Sequence, residues 1–302
     1  MPDAVAHIEG RDVKLSNLDK VFYPEAGFTK AHVIEYYRQI APVLLPHLQG
    51  RAVTLKRYPN GVEGPFFYEK RCPPHAPEWI RTQGVWSESR GEDIEYCLLD
   101  DLPSLVWAAN LADLELHTFL ARAQTPLAPT MIVFDLDPGP GCDVIDCCDV
   151  ALLLRGVLSD LGLDSVVKVS GSKGMQLYVP LNTPATFEQT KPFARAIGEI
   201  VEQDRAKLVT TNMRKSEREG RVLVDWSQND DHKTTVCVYS LRAKAWPTVS
   251  APIQWKEVES GAKLRDAAAL RFLPSDVHAR VTELGDLFAP VLDLEQTLPV
   301  MR

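Results

Sequence analysis

Apolar positions along this chain follow two periods, and the changes between them mark its elements. Over "KAHVIEYYRQIAPVLLPHL" they fall at Val33, Ile34, Tyr37, Ile40 and Leu44, one face of a helix, with Thr29 placed as its cap. A strand, "AVTLKRYP", follows. The next stretch, "NGVEGPFFYEKRCPPHAPEW", is rich in Gly and Pro and carries three consecutive aromatics, Phe66, Phe67 and Tyr68, between turn signals. "IEYCLLD" predicts a strand, "LPSLVWAANLADL" a short helix, and "TPLAPT" a loop that delivers the apolar run "MIVFDLDPG". Helical spacing returns over 143–161, at Val144, Cys147, Cys148, Ala151, Leu154 and Leu158, and again over about 187–204. Strands are predicted at "SVVKVS" and "MQLYVPL", which flank the turn "GSKG", and at "RVLVDWSQ" and "TTVCVYSL". From 252 the chain is Pro-interrupted, then helical near 262–271 and 275–285.

Helices and strands alternate with hairpin-like pairs, with no repeat period and no low-complexity linker. This predicts a mixed α/β or α+β fold forming a single catalytic domain over 1–302, with an N-terminal lobe to about 125, a catalytic core over 126–250 and a helical tail over 251–302. An apolar content of 45% in 302 residues is ample for a buried core. No apolar run approaches the length of a membrane span, and "MPDAVAHIEGRD" has neither the basic start nor the apolar stretch of a secretory signal, so a cytoplasmic protein without a membrane partner is expected. The six cysteines include no CxxC pair, and the vicinal Cys147-Cys148 suits a reducing compartment. Cys72 and His75 in "CPPH" lack a second pair, which argues against structural zinc. A net charge of −8 excludes a protein that coats nucleic acid over its whole surface, but basic runs at 51–71 and 205–221 leave room for a local groove.

The chemistry concentrates at the ends of strands. In "VFDLDPG", Asp135 and Asp137 project to the same side of a strand with Leu136 turned behind them, and two carboxylates that close repel unless a cation or a proton separates them. "VLVDWSQ" brings Asp225 to the end of another apolar strand. Three carboxylates from two strand ends make an oxygen-rich cradle for two Mg²⁺ or Mn²⁺ ions, which activate a hydroxyl nucleophile and stabilise a pyrophosphate leaving group. "SGSKG" offers two glycines for close backbone approach, the hydroxyls of Ser170 and Ser172, and the charge of Lys173, without the spacing of a Walker loop. Alone it is as consistent with an ordinary hairpin turn. "TNMRKSEREGR" sets Arg214, Lys215, Arg218 and Arg221 just before the Asp225 strand, the cations a triphosphate needs opposite its metals. The aromatics at 66–68 lie between Lys56-Arg57 and Lys70-Arg71, a pattern suited to stacking bases while holding a backbone, although at least one of the three is expected to plug the core. His47 and His278 are expected to be structural or surface residues.

Taken in order, "SNLDKVFYP", "TKAHVIEYY", "LKRYPNGVEGPFFYEK", "VFDLDPG", "SGSKGMQLYVPL", "VLVDWSQN", "KTTVCVYSLR" and "PTVSAPIQWKEV" resemble the polymerase domain of bacterial DNA ligase D, a member of the archaeo-eukaryotic primase superfamily, over roughly 11–260. The resemblance implies a primase-like core of two mixed or antiparallel sheets flanked by helices. It also implies a nucleotidyltransferase of non-homologous end joining and short-gap filling that uses NTPs or dNTPs, prefers ribonucleotides, and works with two Mn²⁺ (or Mg²⁺) ions. Carried over by position, Asp135, Asp137 and Asp225 would bind the metals. Ser170, Lys173, Arg218 and Arg242 would hold the triphosphate, with Gln228, His117 and Lys70 nearby. Lys20 and Lys30 would take a downstream 5′-phosphate, and Lys56, Phe67 and Tyr68 would engage the template. Many relatives carry His where this chain has Gln176. Glutamine can donate to phosphate but cannot be cationic, so weaker triphosphate binding is expected, and extension rather than de novo priming.

The implied partners are gapped or broken double-stranded DNA with a 5′-phosphate, together with Ku and a separate ligase. No ligase or nuclease motif follows, so a stand-alone or excised domain is expected. Two other readings remain at this point. "VFDLD" also resembles the nucleophile strand of haloacid-dehalogenase-like phosphatases, although "PGPG" follows where that family needs Thr or Val. A non-catalytic binder of DNA ends through Lys20 and Lys30 is the second, and the intact aspartates argue against it.

Overall fold

The structure is a computed structural model and describes residues 4–299. The chain divides into two compact units. The first takes the described residues through Gln124, then Thr234–Val249 and Leu273–Gly285, and the second takes Thr125–Lys233, Ser250–Phe272 and the described residues from Asp286. The boundary near 125 is thus one of several crossings, since 234–249 and 273–285 pack with the N-terminal residues.

In the first unit the helix Lys30–Leu48 begins at the residue its sequence pattern indicates. Thr29 is extended, its side chain accepts from His32 N, and the His32 ring reaches back to the Thr29 amide. Val33, Tyr37 and Leu44 on its apolar face are fully buried. The sheet of this unit runs, in spatial order, Thr235–Val236, Asp113–Thr118, Ala52–Arg57, Glu92–Leu98 and Arg81–Ser87, with Phe67–Glu69 also paired to Ala52–Arg57. Every pairing in it is antiparallel. Two elements differ from the sequence reading. The helix Leu102–Asn110 stops early, and after Ala112 in the left-handed region (φ 64°) the chain turns into the strand Asp113–Thr118. "TTVCVYSL" joins this sheet at Thr235–Val236, then bends at Tyr239 (φ 63°), and its Leu241 forms an isolated antiparallel bridge with Val249.

A disulfide joins Cys72 to Cys97, with Cα atoms 5.0 Å apart, and ties the segment after Phe67–Glu69 to the strand Glu92–Leu98. No local spacing marks this pair in the sequence. Cys142, Cys147, Cys148 and Cys237 are in no disulfide.

The second unit is built on a six-stranded sheet in the order Val209–Thr210, Val222–Asp225, Met131–Pro138, Met175–Pro180, Val166–Val169, Pro252–Ile253. All its pairings are antiparallel except the first. The helix Val144–Asp160 packs on the central strand, with Phe187–Asp204 and Trp255–Leu264 against it. Phe134, Leu136, Leu154 and Leu177 are wholly buried in this core. The predicted helix at 262–271 is displaced. Helical structure starts at Trp255, where Glu257 bonds the Gln254 amide, and ends at Arg265 with φ 57°. The fold is therefore mixed α/β, with two mainly antiparallel sheets and flanking helices.

Candidate active site

In the second unit the central strand sets the site. Asp135 lies directly across from Asp225 on one neighbouring strand and from Gln176 on the other, and Asp137 stands exposed two residues further on. Asp225 is fixed from behind: its Oδ1 accepts from the Ser227 amide (2.9 Å) and hydroxyl (2.6 Å), and its Oδ2 from Gln228 Nε2 (2.9 Å). The buried Asn229 pins this turn to the central strand, accepting from Val133 N and donating to Val133 O. Asp135 is relieved less, by a hydrogen bond from Gln176 and the more distant charge of Lys168. Burial, then the charges of Asp137 and Asp225, raise its pKa from 3.8 to about 7, against the smaller lowering effects of Gln176 and Lys168.

Two glycines bring the flanking loops to these carboxylates. A Cβ on Gly174 would stand 2.0 Å from Leu136 O, and one on Gly139 1.7 Å from Arg218 O. Only glycine permits either approach. Gly139 N donates to Arg221 O and Gly220 N to Pro140 O, which draws the basic segment 214–221 against the end of the aspartate strand. The Arg218 guanidinium donates to Met213 O, while its buried Nε has no protein acceptor among the described residues. In the turn "SGSKG", Ser170 Oγ accepts from the amides of Ser172 and Gly174 and closes the loop, so that one glycine serves the fold rather than a ligand. Lys173 is exposed and makes no ion pair among the described residues. Gln176, by contrast, is 3% exposed, and its Oε1 is taken by Lys168 and Tyr178.

The remaining candidates lie in the first unit, where an acidic residue that sequence reasoning missed organises three of them. Glu115 is 1% exposed, with Lys56 and His117 each 3.1 Å away and Arg242 Nε at 3.4 Å. Burial alone would raise its pKa, but His117, Arg242 and Lys56 together hold it well below the usual carboxylate range. Burial lowers the pKa of His117 despite Glu115, so at neutral pH the ring is neutral. For Lys56 burial opposes the charge, yet Tyr58 and Glu115 prevail and raise its pKa.

The Lys56 ammonium also lies 4.7 Å from the Phe66 ring centroid, with the Tyr58 and Tyr68 rings at 5.4 and 5.6 Å. None of the three consecutive aromatics plugs the core: Phe66, Phe67 and Tyr68 are 50, 44 and 56% exposed, because the strand Phe67–Glu69 pairs on the outside of Ala52–Arg57. Lys70 is exposed and lines a cleft of about 450 Å³ with Tyr68, Arg71 and Arg90. Lys20 is exposed and donates to Asn60. Lys30 is 5% exposed and lies 3.5 Å from the Ser16 hydroxyl, and its amide donates to Lys20 O, which brings the two residues to one corner.

One further acidic group, Asp230, Asp231 and His232, has its ligand atoms within 4.8 Å of one another. Asp230 is already held by Lys191 and His232, and against the effect of burial these keep its pKa low.

Residues 29–288 match the model of the LigD primase-polymerase domain. The chain is 43% identical over 283 residues to the multifunctional non-homologous end joining protein LigD of Mycolicibacterium smegmatis, covering 92% of this chain and 36% of that protein. It is 34% identical over 249 residues to the bifunctional LigD of Bacillus subtilis, covering 82% and 40%. The chain thus spans well under half the length of these relatives. The solved polymerase domain of Mycobacterium tuberculosis ligase D, in complex with DNA, superimposes with a TM-score of 0.86 at 37% identity over 94% of this chain and 99% of that one. The chain belongs to the LigD primase-polymerase family and is a polymerase domain of that kind.

Proposed function

We propose that the chain is a template-directed nucleotidyltransferase that extends a primer 3′-hydroxyl, preferably with ribonucleotides, at short gaps and broken ends carrying a downstream 5′-phosphate. The observation that carries this reading is the cluster of Asp135, Asp137 and Asp225 on adjacent strands, in which burial and then the charges of the other two push Asp135 up to about 7. An all-carboxylate donor set with unrelieved negative charge fits Mn²⁺ or Mg²⁺, whereas imidazole or thiolate ligands would favour other metals. When bound, such ions lower the pKa of an attacking hydroxyl and neutralise charge on a leaving pyrophosphate.

The protein's own groups do the positioning. Asp225 is oriented by Ser227 and Gln228. Arg218 offers a buried donor without a protein partner among the described residues, and Lys173 an exposed charge, both suited to phosphate oxygens. In the first unit, Glu115 holds Arg242 and His117 in fixed orientations. Exposed Phe67 and Tyr68 suit stacking of template bases, and Lys20 with Lys30 suits a terminal phosphate. The named relatives are end-joining proteins, which supports a role in that repair; Ku and a separate ligase as partners, and a cytoplasmic location, belong to the same proposal and rest on the sequence resemblance alone.

The test is extension of a primer across a short gap bearing a 5′-phosphate, with NTPs or dNTPs, in Mn²⁺ and in Mg²⁺, beside an Asp135→Ala/Asp137→Ala control. Templated addition of ribonucleotides that is lost in the control is the expected result. Tight binding of the phosphorylated gap without any addition would refute the catalytic reading and leave an end-binding module.

A further inference from the structure

Four adjacent strands of the second unit carry one transverse row of polar side chains. Asp225, Asp135, Gln176 and Lys168 are direct cross-strand partners in that order. Residues so paired project to the same face of a sheet. Lys168 is 0% exposed, and an ammonium in such a place survives only if hydrogen-bonded and electrically compensated. Its Nζ donates to Gln176 Oε1 at 2.5 Å and to Ser250 Oγ at 2.6 Å, and it lies 5.6 Å from the Tyr178 ring centroid.

Tyr178 Oη donates to the same Gln176 oxygen at 3.2 Å. Two donors on Oε1 settle the orientation of the amide. Its NH₂ is turned to the other neighbour in the row, Asp135, to which Gln176 is hydrogen-bonded. The row therefore runs from a buried cation, through an oriented amide, to a carboxylate of the cluster.

We propose that Lys168 is a positioning residue for divalent-cation binding: by holding Gln176 Oε1 it aims the Gln176 amide N–H at Asp135 and fixes that carboxylate in the orientation in which it ligates. The proposal rests on the reading of Asp135, Asp137 and Asp225 as a cation site. It assigns Lys168 no contact with substrate or ion. It also gives Gln176 an inward role, as the link between Lys168 and Asp135, and not one on the triphosphate.

The test is the dissociation constant for Mn²⁺ alone, without nucleotide or DNA, measured from the electron paramagnetic resonance of the free ion, together with melting temperature. The full chain, Asp135→Asn, Lys168→Met and the double variant Lys168→Met/Gln176→Leu are compared. Lys168→Met leaves the amide held by the longer Tyr178 hydrogen bond alone and is expected to weaken Mn²⁺ binding at least tenfold. The double variant replaces both partners by apolar groups of similar length, which removes the buried ammonium and the amide it held, leaves only the Tyr178 and Ser250 hydroxyls to find other partners, and returns the melting temperature part of the way toward that of the wild type. Melting temperature recovered without Mn²⁺ affinity is the expected result, and it separates positioning from stability. Recovery of both in the double variant, or unchanged affinity in Lys168→Met, would overturn the proposal while leaving the cation site intact. Wild-type Mn²⁺ binding equal to that of Asp135→Asn would overturn the cation site itself, and this inference with it.

Discussion

Replacing Asp135 by Asn should stabilise the metal-free protein at pH 8 and do little at pH 4. In the folded state burial and two neighbouring carboxylates raise Asp135 from 3.8 to about 7. An acid whose folded pKa exceeds its unfolded one binds more protons folded than unfolded between the two values, so stability falls as pH rises from about 4 to about 7 and is flat above. At 1.36 kcal/mol for each tenfold difference, ionising Asp135 in the fold costs up to about 4 kcal/mol at pH 8. Asn keeps the shape and removes the charge, so the variant should recover much of that amount, less whatever relief water gives a carboxylate that is not wholly enclosed. Urea unfolding in EDTA at pH 4, 6 and 8 measures it: the midpoint of the wild type should drop relative to the variant across this series. Added Mn²⁺ at pH 8 should then reverse the order, since a cation stabilises the folded wild type by binding it. A variant that is less stable than wild type at pH 8 without metal, by as much as at pH 4, would refute the claim that Asp135 is an unrelieved charge.

Gly174→Ala sets a methyl 2.0 Å from the Leu136 carbonyl and should cost about 1–3 kcal/mol in urea unfolding while displacing the Lys173 turn; a neutral effect would mean the turn is not pinned there. Glu115→Gln leaves Lys56 and Arg242 without their buried counter-charge and should destabilise by about 3–5 kcal/mol at pH 7. Because the Glu115 pKa is depressed, its contribution is present above about pH 4.5 and is lost as pH falls further, so the difference from wild type in urea midpoints should narrow at pH 3. Reducing Cys72–Cys97, which are separated by 25 residues, should cost about 3 kcal/mol and lower the melting temperature. Thiol titration in denaturant should find four free groups before reduction, and six there would refute the bond.

Much of this was legible where local pattern and tertiary role agree. The Lys30–Leu48 helix announces itself by its cap and its apolar spacing, and the strands that carry Asp135 and Asp225 by apolar runs ending in carboxylates. Legibility failed where polar residues face inward. In "DLELHT" the alternation suggests one apolar and one solvated face, yet Asp113 and Glu115 are buried on the polar one: Lys56 and Arg242 arrive from distant sequence to hold Glu115 ionised, whereas burial raises the pKa of Asp113 despite the Lys56 amide and Arg57. Lys168 in "VVKVS" is illegible for the same reason: no local signal says that residues 8 and 82 positions away will accept its hydrogen bonds. The disulfide had no signature either, since what joins Cys72 to Cys97 is the fold of the strands on either side.

The same physics separates scaffold from site. Glu115 and Asp135 are both carboxylates withdrawn from water, and both pay the same penalty for it in kind. Around Glu115 the chain supplies three nitrogen groups, and the carboxylate is held ionised; nothing further is needed there. Asp230 is likewise satisfied by Lys191 and His232, which is why a group with ligand-like spacing is a poor claimant for a metal. Around Asp135 the nearest charges are Asp137 and Asp225, and the favourable effects of Gln176 and Lys168 are the smaller ones. A fold under selection for stability alone would have neutralised that cluster as it neutralised the other two. Keeping it frustrated, on a strand end where two glycines hold the surrounding loops close, is what a protein does when the missing positive charge comes from outside the chain.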